Sequence, residues 1–253
     1  MLLRFLLVKK NVFLQILFSY GSLFFLQIVL TLILSLVLEN KPENESWGVI
    51  VSSVSFIVVI WITSKIFKTQ LRFHYKPLKL IVVLYSALAA ICFMFIYPFI
   101  TISSFINNLD QNIIELTKVN LSINKSLYLY YFIAIIVMPI LEEIYYRKII
   151  LCQIEKKYST LIAILISSLM FSIFHIDYIQ SQISFIFGIL VGYIYVKTRR
   201  IEISILLHSA VNLFIIITLS EALSLANYYF LLPLYIIIIL LEIFLIKKIV
   251  QNA

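Results

Sequence analysis

The sequence is poor in the residues that build many soluble enzyme sites. Its 253 residues include only four glycines, five prolines and two cysteines. The four scattered glycines form no glycine-rich phosphate loop, which argues against a nucleotide-binding site of that type. Cys92 and Cys152 lie within or beside apolar stretches and lack the close spacing of metal-binding cysteines, so we expect both to be packing residues.

Charge is also scarce, because only 13% of the residues are Asp, Glu, Lys or Arg, whereas 63% are hydrophobic. The mean hydropathy of +1.08 lies far outside the range of soluble domains. The apolar residues come in blocks of roughly 20, and a helix of that length crosses about 30 Å of hydrocarbon with its backbone groups satisfied internally. The sequence therefore predicts an all-α polytopic integral membrane protein in a lipid bilayer.

Eight apolar blocks predict about eight membrane-spanning helices. A polar segment at 104–126 separates the third block from the fourth, and we expect it at the outer surface. Basic and non-basic loops alternate along the chain, which predicts that both termini face the cytoplasm and that the protein lies in the cytoplasmic membrane. The blocks run over about 11–38, 48–66, 80–103, from near 127 through the acids at 142 and 143, and over 160–176, 183–196, 203–219 and 229–246.

We divide the chain into three regions on this pattern. Region 1–126 holds three helices and the outer loop, region 127–220 holds the four helices that carry the candidate site, and region 221–253 holds the last helix. The net charge of +8 resides in the short loops between spans, where membrane topology requires it. We therefore expect no binding to nucleic acid.

Two acids and a base interrupt the fourth span, at Glu142, Glu143 and Arg147. Ionised groups at membrane depth cost at least about 2.5 kcal/mol each, so they indicate function by default. Residues four apart share a helix face, which predicts that Glu143 pairs with Arg147. Glu142 then points away from this pair and has no partner of opposite charge on its own helix. A carboxylate in that position could act as a general base that takes a proton from water. The alternative is a structural ion network that holds helices together.

Two later sites have the composition of partners for these acids. His175 follows Phe171 by four residues near the end of the fifth span, while His208 and Asn212 share one face of the seventh. The side chains of His208 and Asn212 can both donate hydrogen bonds to an oxyanion that forms on a scissile carbonyl. Ordinary interhelical hydrogen bonds are the alternative interpretation of each site.

The three motifs together resemble those of a known family. Glu-Glu-x-x-x-Arg, Phe-x-x-x-His and His-x-x-x-Asn on the fourth, fifth and seventh spans are similar to the motifs of the CAAX-protease and bacteriocin-processing (CPBP) intramembrane endopeptidases. The resemblance covers about 127–219. It implies activation of the attacking water by Glu142 and His175, stabilisation of the oxyanion by His208 and Asn212, and support of the site by Glu143, Arg147 and Phe171.

The resemblance leaves the metal question open. Glu142, His175 and His208 could together hold a catalytic zinc with an open coordination position. The chain has no His-Glu-x-x-His helix, however, and these candidate ligands lie on three different helices. We expect no structural metal, and both a zinc mechanism and a metal-free mechanism remain as hypotheses for the reaction.

The expected partner is a peptide or membrane-protein substrate. Bacterial members of the family process small peptides or confer immunity to bacteriocins, and usage rich in Ile, Lys and Asn is typical of a low-GC bacterium. The resemblance therefore implies cleavage of a small membrane-associated peptide, in bacteriocin self-immunity, peptide maturation or export.

Two functions from other classes stay open. The acids and histidines could line the proton or ion path of a transporter, although the sequence shows neither an inverted repeat nor paired helix breaks. A non-catalytic scaffold could also keep the same residues as a structural network and act by binding a partner.

Overall fold

The structure is a computed structural model, and it describes residues 12–37, 45–69, 77–100, 125–175, 178–219 and 232–253. All regular elements in these ranges are helices, which confirms the predicted all-α fold. Each of the eight helical stretches coincides with a predicted span to within about six residues at either end. They are α1 Val12–Val37, α2 Glu45–Phe67, α3 Leu80–Ile100, α4 125–155, α5 Thr160–Ile173, α6 Tyr178–Thr198, α7 Ile201–Leu219 and α8 Leu232–Asn252. The predicted outer segment lies outside the described residues as far as residue 124.

The helices have the length and composition of a polytopic membrane protein. In the described ranges, four are long and apolar enough to cross a membrane: Val12–Leu34, Trp47–Phe67, Tyr128–Glu155 and Gln180–Thr198. Three shorter apolar helices accompany them: Leu80–Phe95, Thr160–Ile173 and Ile201–Ile216. Large apolar side chains such as Phe25, Trp61 and Leu240 are exposed on the helix surfaces. Exposed apolar surface on this scale is expected where lipid, rather than water, surrounds the protein.

The first of two compact units contains α1, α2, α4 and α5 as far as Met170. In this unit α1 packs against α2, and α2 packs along α4. Phe56 of α2 is fully buried, with its ring at right angles to two tyrosines of α4: the centroids are 5.8 Å apart for Tyr145 and 6.2 Å apart for Tyr146. Aromatic edge-to-face packing thus fixes α4 against α2.

The helix α4 is interrupted twice. Ile133–Val137 and Ile144–Leu151 are π-helical, with backbone hydrogen bonds to the fifth residue rather than the fourth. Pro139 is the second residue of the α-helical turn Met138–Glu143 between them, and its missing N–H removes one bond from the regular ladder just after the first interruption. Segments of π-helix are rare and occur frequently at functional sites. The second one begins directly after the paired glutamates.

The second unit contains α3, the end of α5 from Phe171, and α6, α7 and α8. In this unit α3 packs closely against both α7 and α8. The core that they share is formed by Val82, Ala89, Cys92, Ile194, Ile203, Leu207, Leu245 and Ile249.

Two hydrogen bonds show which helix ends lie together within the second unit. The Nζ atom of Lys79 donates to the carbonyl of Asn252 at 2.9 Å, and the guanidinium of Arg200 donates to the carbonyl of Ala253 at 3.2 Å. The beginnings of α3 and α7 therefore lie beside the end of α8, which runs antiparallel to both. The predicted topology requires the same arrangement, since it places these three ends on the cytoplasmic side; that sidedness itself stays a prediction.

Candidate functional site

The acidic motif forms a buried ion pair in the first unit. Nε of Arg147 lies 3.0 Å from Oε2 of Glu143, and both side chains are completely buried. The pairing predicted from their four-residue spacing is confirmed. The geometry survives although Arg147 lies within the π-helical segment, because a wider helical turn still leaves residues four apart as neighbours.

Arg147 also connects α4 to α5. Its guanidinium donates to the hydroxyl of Ser167 at 3.2 Å, and that hydroxyl donates to the backbone carbonyl of Tyr146 at 2.9 Å. Ser167 is completely buried as well. These contacts fit the structural ion network that the sequence analysis gave as an alternative. They fit equally well with residues that support a catalytic site.

Glu142 is nearly as buried as its neighbour, with 7% of its surface exposed. It lies one position before Glu143 in the α-helical turn Met138–Glu143, so its side chain leaves the helix about 100° away from that of Glu143. Two adjacent glutamates thus occupy different environments in one apolar helix. A carboxylate in such an environment can exchange a proton with water if a water molecule reaches it.

The histidines lie around Phe171 in the second unit. The centroid of the Phe171 ring is 5.0 Å from that of His175 and 5.5 Å from that of His208, and both pairs are edge-to-face. His208 is almost fully buried and also contacts Phe187 at 5.3 Å. The structure therefore brings the two predicted histidines against one aromatic ring, which restricts the orientation of both imidazoles.

The position of His175 differs in one respect from the prediction. The fifth span was expected to reach residue 176, but α5 ends at Ile173 and His175 lies in the turn that follows. Its Nδ1 is 3.1 Å from the carbonyl oxygen of Phe171 in the last turn of α5. The carbonyl can only accept, so Nδ1 carries the hydrogen and Nε2 is the basic nitrogen of the neutral ring.

Asn212 follows His208 by four residues on α7, so the two share one face of a regular α-helix as predicted. The side chain of Asn212 is half-buried. Its carboxamide and the imidazole of His208 provide donors of the kind that an oxyanion requires.

The predicted site residues thus form two groups. Glu142, Glu143 and Arg147 belong to the first unit, and the residues around Phe171 belong to the second. The approach of Glu142 to His175 and His208 remains a prediction of the sequence analysis. In the ranges that the structure describes, no three His, Cys, Asp or Glu side chains are grouped so as to hold a metal ion.

Two contacts of the site have no signal in the sequence. Ser167 is one of several serines in an apolar helix, and only the packing of α5 on α4 makes it a partner of Arg147. Phe187 is one of 20 phenylalanines, and nothing in its spacing relates it to His208. Both depend on contacts between helices, which hydrophobic periodicity does not specify.

Comparison with known proteins agrees with the motifs. Residues 124–214 match the family described as type II CAAX prenyl endopeptidase Rce1-like, and this range includes all three motifs. A protein of Bacillus subtilis (strain 168) with the name "Putative membrane peptidase YdiL" is 35% identical over 103 residues. The aligned residues are 41% of this chain and 42% of that relative, so the chain matches less than half the length of the relative. No solved structure matches the chain.

Proposed function

We infer the function of this protein from a similarity, since its residues 124–214 match the family described as type II CAAX prenyl endopeptidase Rce1-like. This match and the membrane-spanning helices support a membrane peptidase. We propose, more specifically, that it is an intramembrane endopeptidase that hydrolyses a peptide bond in a small membrane-associated peptide or protein. The observation that carries the proposal is the burial of Glu142, 7% exposed, in an apolar helix beside the Glu143–Arg147 ion pair.

In the proposed reaction Glu142 takes a proton from a water molecule as the water oxygen attacks the scissile carbonyl carbon. His175 accepts a hydrogen bond from the same water through Nε2, because its Nδ1 is engaged by the carbonyl of Phe171. The carbonyl oxygen becomes an oxyanion, to which His208 and Asn212 donate hydrogen bonds. The C–N bond then breaks, and Glu142 returns its proton to the departing amine.

Glu143, Arg147 and Phe171 support these groups without touching the substrate. The ion pair holds the glutamate-bearing turn, and the ring of Phe171 orients both imidazoles. A zinc ion held by Glu142, His175 and His208 would act as a Lewis acid for the same water. In the described ranges no three such side chains are grouped as metal ligands, and each step above uses only the protein's own side chains.

The experiment that tests the proposal compares wild type with Glu142→Gln, purified in detergent, for cleavage of short hydrophobic peptides followed by mass spectrometry. Gln keeps the shape of the side chain and removes the base. The matched control is Glu155→Gln, at the end of the same helix, where the side chain accepts a hydrogen bond from Thr160 at 3.0 Å. We expect the control to cleave like wild type and Glu142→Gln to lose at least about 100-fold in rate, the range that a general base contributes.

Equal cleavage by wild type and Glu142→Gln would contradict the proposed role of Glu142. Absence of cleavage by every variant on a broad peptide library would favour the transporter or the scaffold. Addition of a chelator to wild type separates the two mechanisms, because only the zinc mechanism predicts loss of activity.

The proposed biological role rests on the family resemblance rather than on the geometry. The relative that is named as a membrane peptidase comes from a bacterium. We propose that this protein acts in a bacterial cytoplasmic membrane with both termini in the cytoplasm, in bacteriocin self-immunity or in peptide maturation. A strain that lacks the gene should become sensitive to a bacteriocin or accumulate an unprocessed peptide, and a strain that does neither would contradict this role.

A further inference from the structure

A chain of hydroxyl groups joins α1 and α2 to the glutamate-bearing helix α4. The hydroxyl of Ser19 on α1 lies 2.5 Å from that of Thr63 on α2 and 2.8 Å from that of Tyr145 on α4. All three side chains are completely buried. Both α1 and α2 lie outside the range 124–214 that matches the family, so the motifs do not explain this contact.

The direction of donation along the hydroxyl chain is fixed. Thr63 donates to the carbonyl of Val59 at 2.5 Å, so its single hydroxyl proton is engaged. Ser19 must therefore donate to Thr63, and Tyr145 must donate to Ser19. Removal of the Thr63 or the Ser19 hydroxyl leaves the preceding donor buried and unsatisfied, and removal of the Tyr145 hydroxyl breaks the link to α4, so each loss is expensive in an apolar core.

The hydroxyl chain contacts α4 at the position where the backbone of α4 changes from α-helix to π-helix. Tyr145 is the second residue of the π-helical segment Ile144–Leu151 and lies three positions after Glu142. A second contact follows directly after this segment, where Nε2 of Gln153 donates to the hydroxyl of Thr69 at 2.7 Å. The π-helical segment is thus contacted near its beginning by residues of α1 and α2, and just beyond its end by Thr69, which follows α2.

We propose that Ser19, Thr63 and Tyr145 are positioning residues for Glu142. An extended π-helix is uncommon on its own, so an external contact is needed to keep the rotation of α4 that it produces. That rotation sets the direction in which Glu142 leaves the helix. The inference rests on the proposed function, in which Glu142 must reach a water molecule, and a displacement of about 1 Å in such a group can cost about 100-fold in rate.

The first test measures kcat and KM on a cleaved peptide. We expect Tyr145→Phe and Thr63→Val to lower kcat by about 10- to 100-fold with KM changed less than about twofold, because the base is misplaced while the binding surface stays. Thr63→Ser retains the hydroxyl and should restore kcat. The matched control is Ser55→Ala, which removes an equally buried hydroxyl that donates to Val51 of its own helix.

The second test does not need activity. Amide hydrogen exchange in the peptide 139–151 should increase in Tyr145→Phe and in Thr63→Val, and stay unchanged in Ser55→Ala. The double variant Thr63→Val/Tyr145→Phe should lose no more kcat than the worse single variant, since both break one chain.

The outcomes separate the two hypotheses. If Glu142→Gln is as active as wild type, the proposed role of Glu142 as the base fails, and exchange alone then decides whether the hydroxyl chain holds the segment. If Glu142→Gln is inactive while Tyr145→Phe and Thr63→Val keep full kcat, the positioning role is overturned and the proposed function stands. Loss of kcat without a change in exchange would also overturn it, because the hydroxyl would then act directly rather than by position.

Discussion

At the scale of single residues, Arg147 holds two buried contacts of the candidate site, the salt bridge to Glu143 and the hydrogen bond to Ser167. Its salt bridge to Glu143 is fully buried, so Arg147→Met should leave that carboxylate without its cation and lower the free energy of unfolding by about 3–5 kcal/mol. Thermal unfolding in detergent measures this. The double variant Glu143→Met/Arg147→Met should recover part of the loss, because it removes both charges together.

The control for this prediction is Arg200→Met. Its salt bridge to Glu202 is longer, at 3.8 Å, and partly exposed, and its hydrogen bond to the carbonyl of Ala253 is exposed, so the loss of both should cost less than about 1 kcal/mol. Equal destabilisation by the two arginine substitutions would show that burial of the Glu143–Arg147 pair is irrelevant to its strength.

Substitution of Phe171 and of Phe187 can show how much each ring contributes to the orientation of the histidines. The ring of Phe171 contacts the imidazoles of both His175 and His208, whereas the ring of Phe187 contacts that of His208. Phe171→Leu should therefore reduce kcat more than Phe187→Leu, with both variants folded, since each aromatic contact contributes about 0.5–1.5 kcal/mol. Steady-state kinetics on one peptide gives the ratio. A larger effect at Phe187 would contradict the central place of Phe171.

The predictable residue contacts were the local ones. Four-residue spacing was enough to pair Glu143 with Arg147, because a helix makes those positions neighbours whatever surrounds it. Ser167 was not predictable as the next partner, since that contact depends on how α5 packs against α4. The chain through Ser19, Thr63 and Tyr145 was missed for the same reason: the three residues are far apart in sequence and lie on three different helices.

At the scale of helices, α8 carries a carboxyl group that the proposed mechanism does not use. Glu242 is 4% exposed, and neither of its carboxyl oxygens has a hydrogen-bond partner among the described residues. A buried acid without such partners is destabilising, so Glu242→Met should raise the free energy of unfolding by about 1–4 kcal/mol.

Peptide cleavage by Glu242→Met should equal that of wild type, because Glu242 lies outside the proposed site. Thermal unfolding and the cleavage assay together check the prediction. The control is Glu202→Met, which removes a partly exposed acid that has a salt-bridge partner and should be slightly destabilising. A destabilised Glu242→Met would show that the carboxyl group has a structural or binding role.

The helices themselves were predictable because the bilayer dictates their length. Details of α4 and α5 were not. The π-helical segments have no signal in hydrophobic spacing, and Pro139 alone only suggests an irregularity nearby. The end of α5 fell short of the predicted boundary because the side chain of His175 satisfies a terminal carbonyl, a local competition that an apolar run does not reveal.

At the scale of the whole molecule, the number and order of the helices in the described ranges agree with the apolar blocks, whereas their grouping could not be read from the sequence. The first unit combines α1 and α2 with α4, and the second combines α3 with α6, α7 and α8. Neighbours in sequence are thus separated, because α3 buries its small residues, such as Ala89, against α7 and α8. Side-chain size and shape, rather than hydropathy, decide that grouping.

The pairing of Glu143 with Arg147 inside one helix also has a consequence for biosynthesis. An isolated arginine near the centre of an inserting helix opposes insertion by about 2.5–3.5 kcal/mol. Here its counter-charge lies one turn away on the same segment, so the stretch Tyr128–Glu155 can enter the bilayer with that charge already neutralised. The hydrogen bond from Arg147 to Ser167 forms only after α5 has been inserted. The most expensive charge of the site is therefore compensated during insertion, before any other helix is in place.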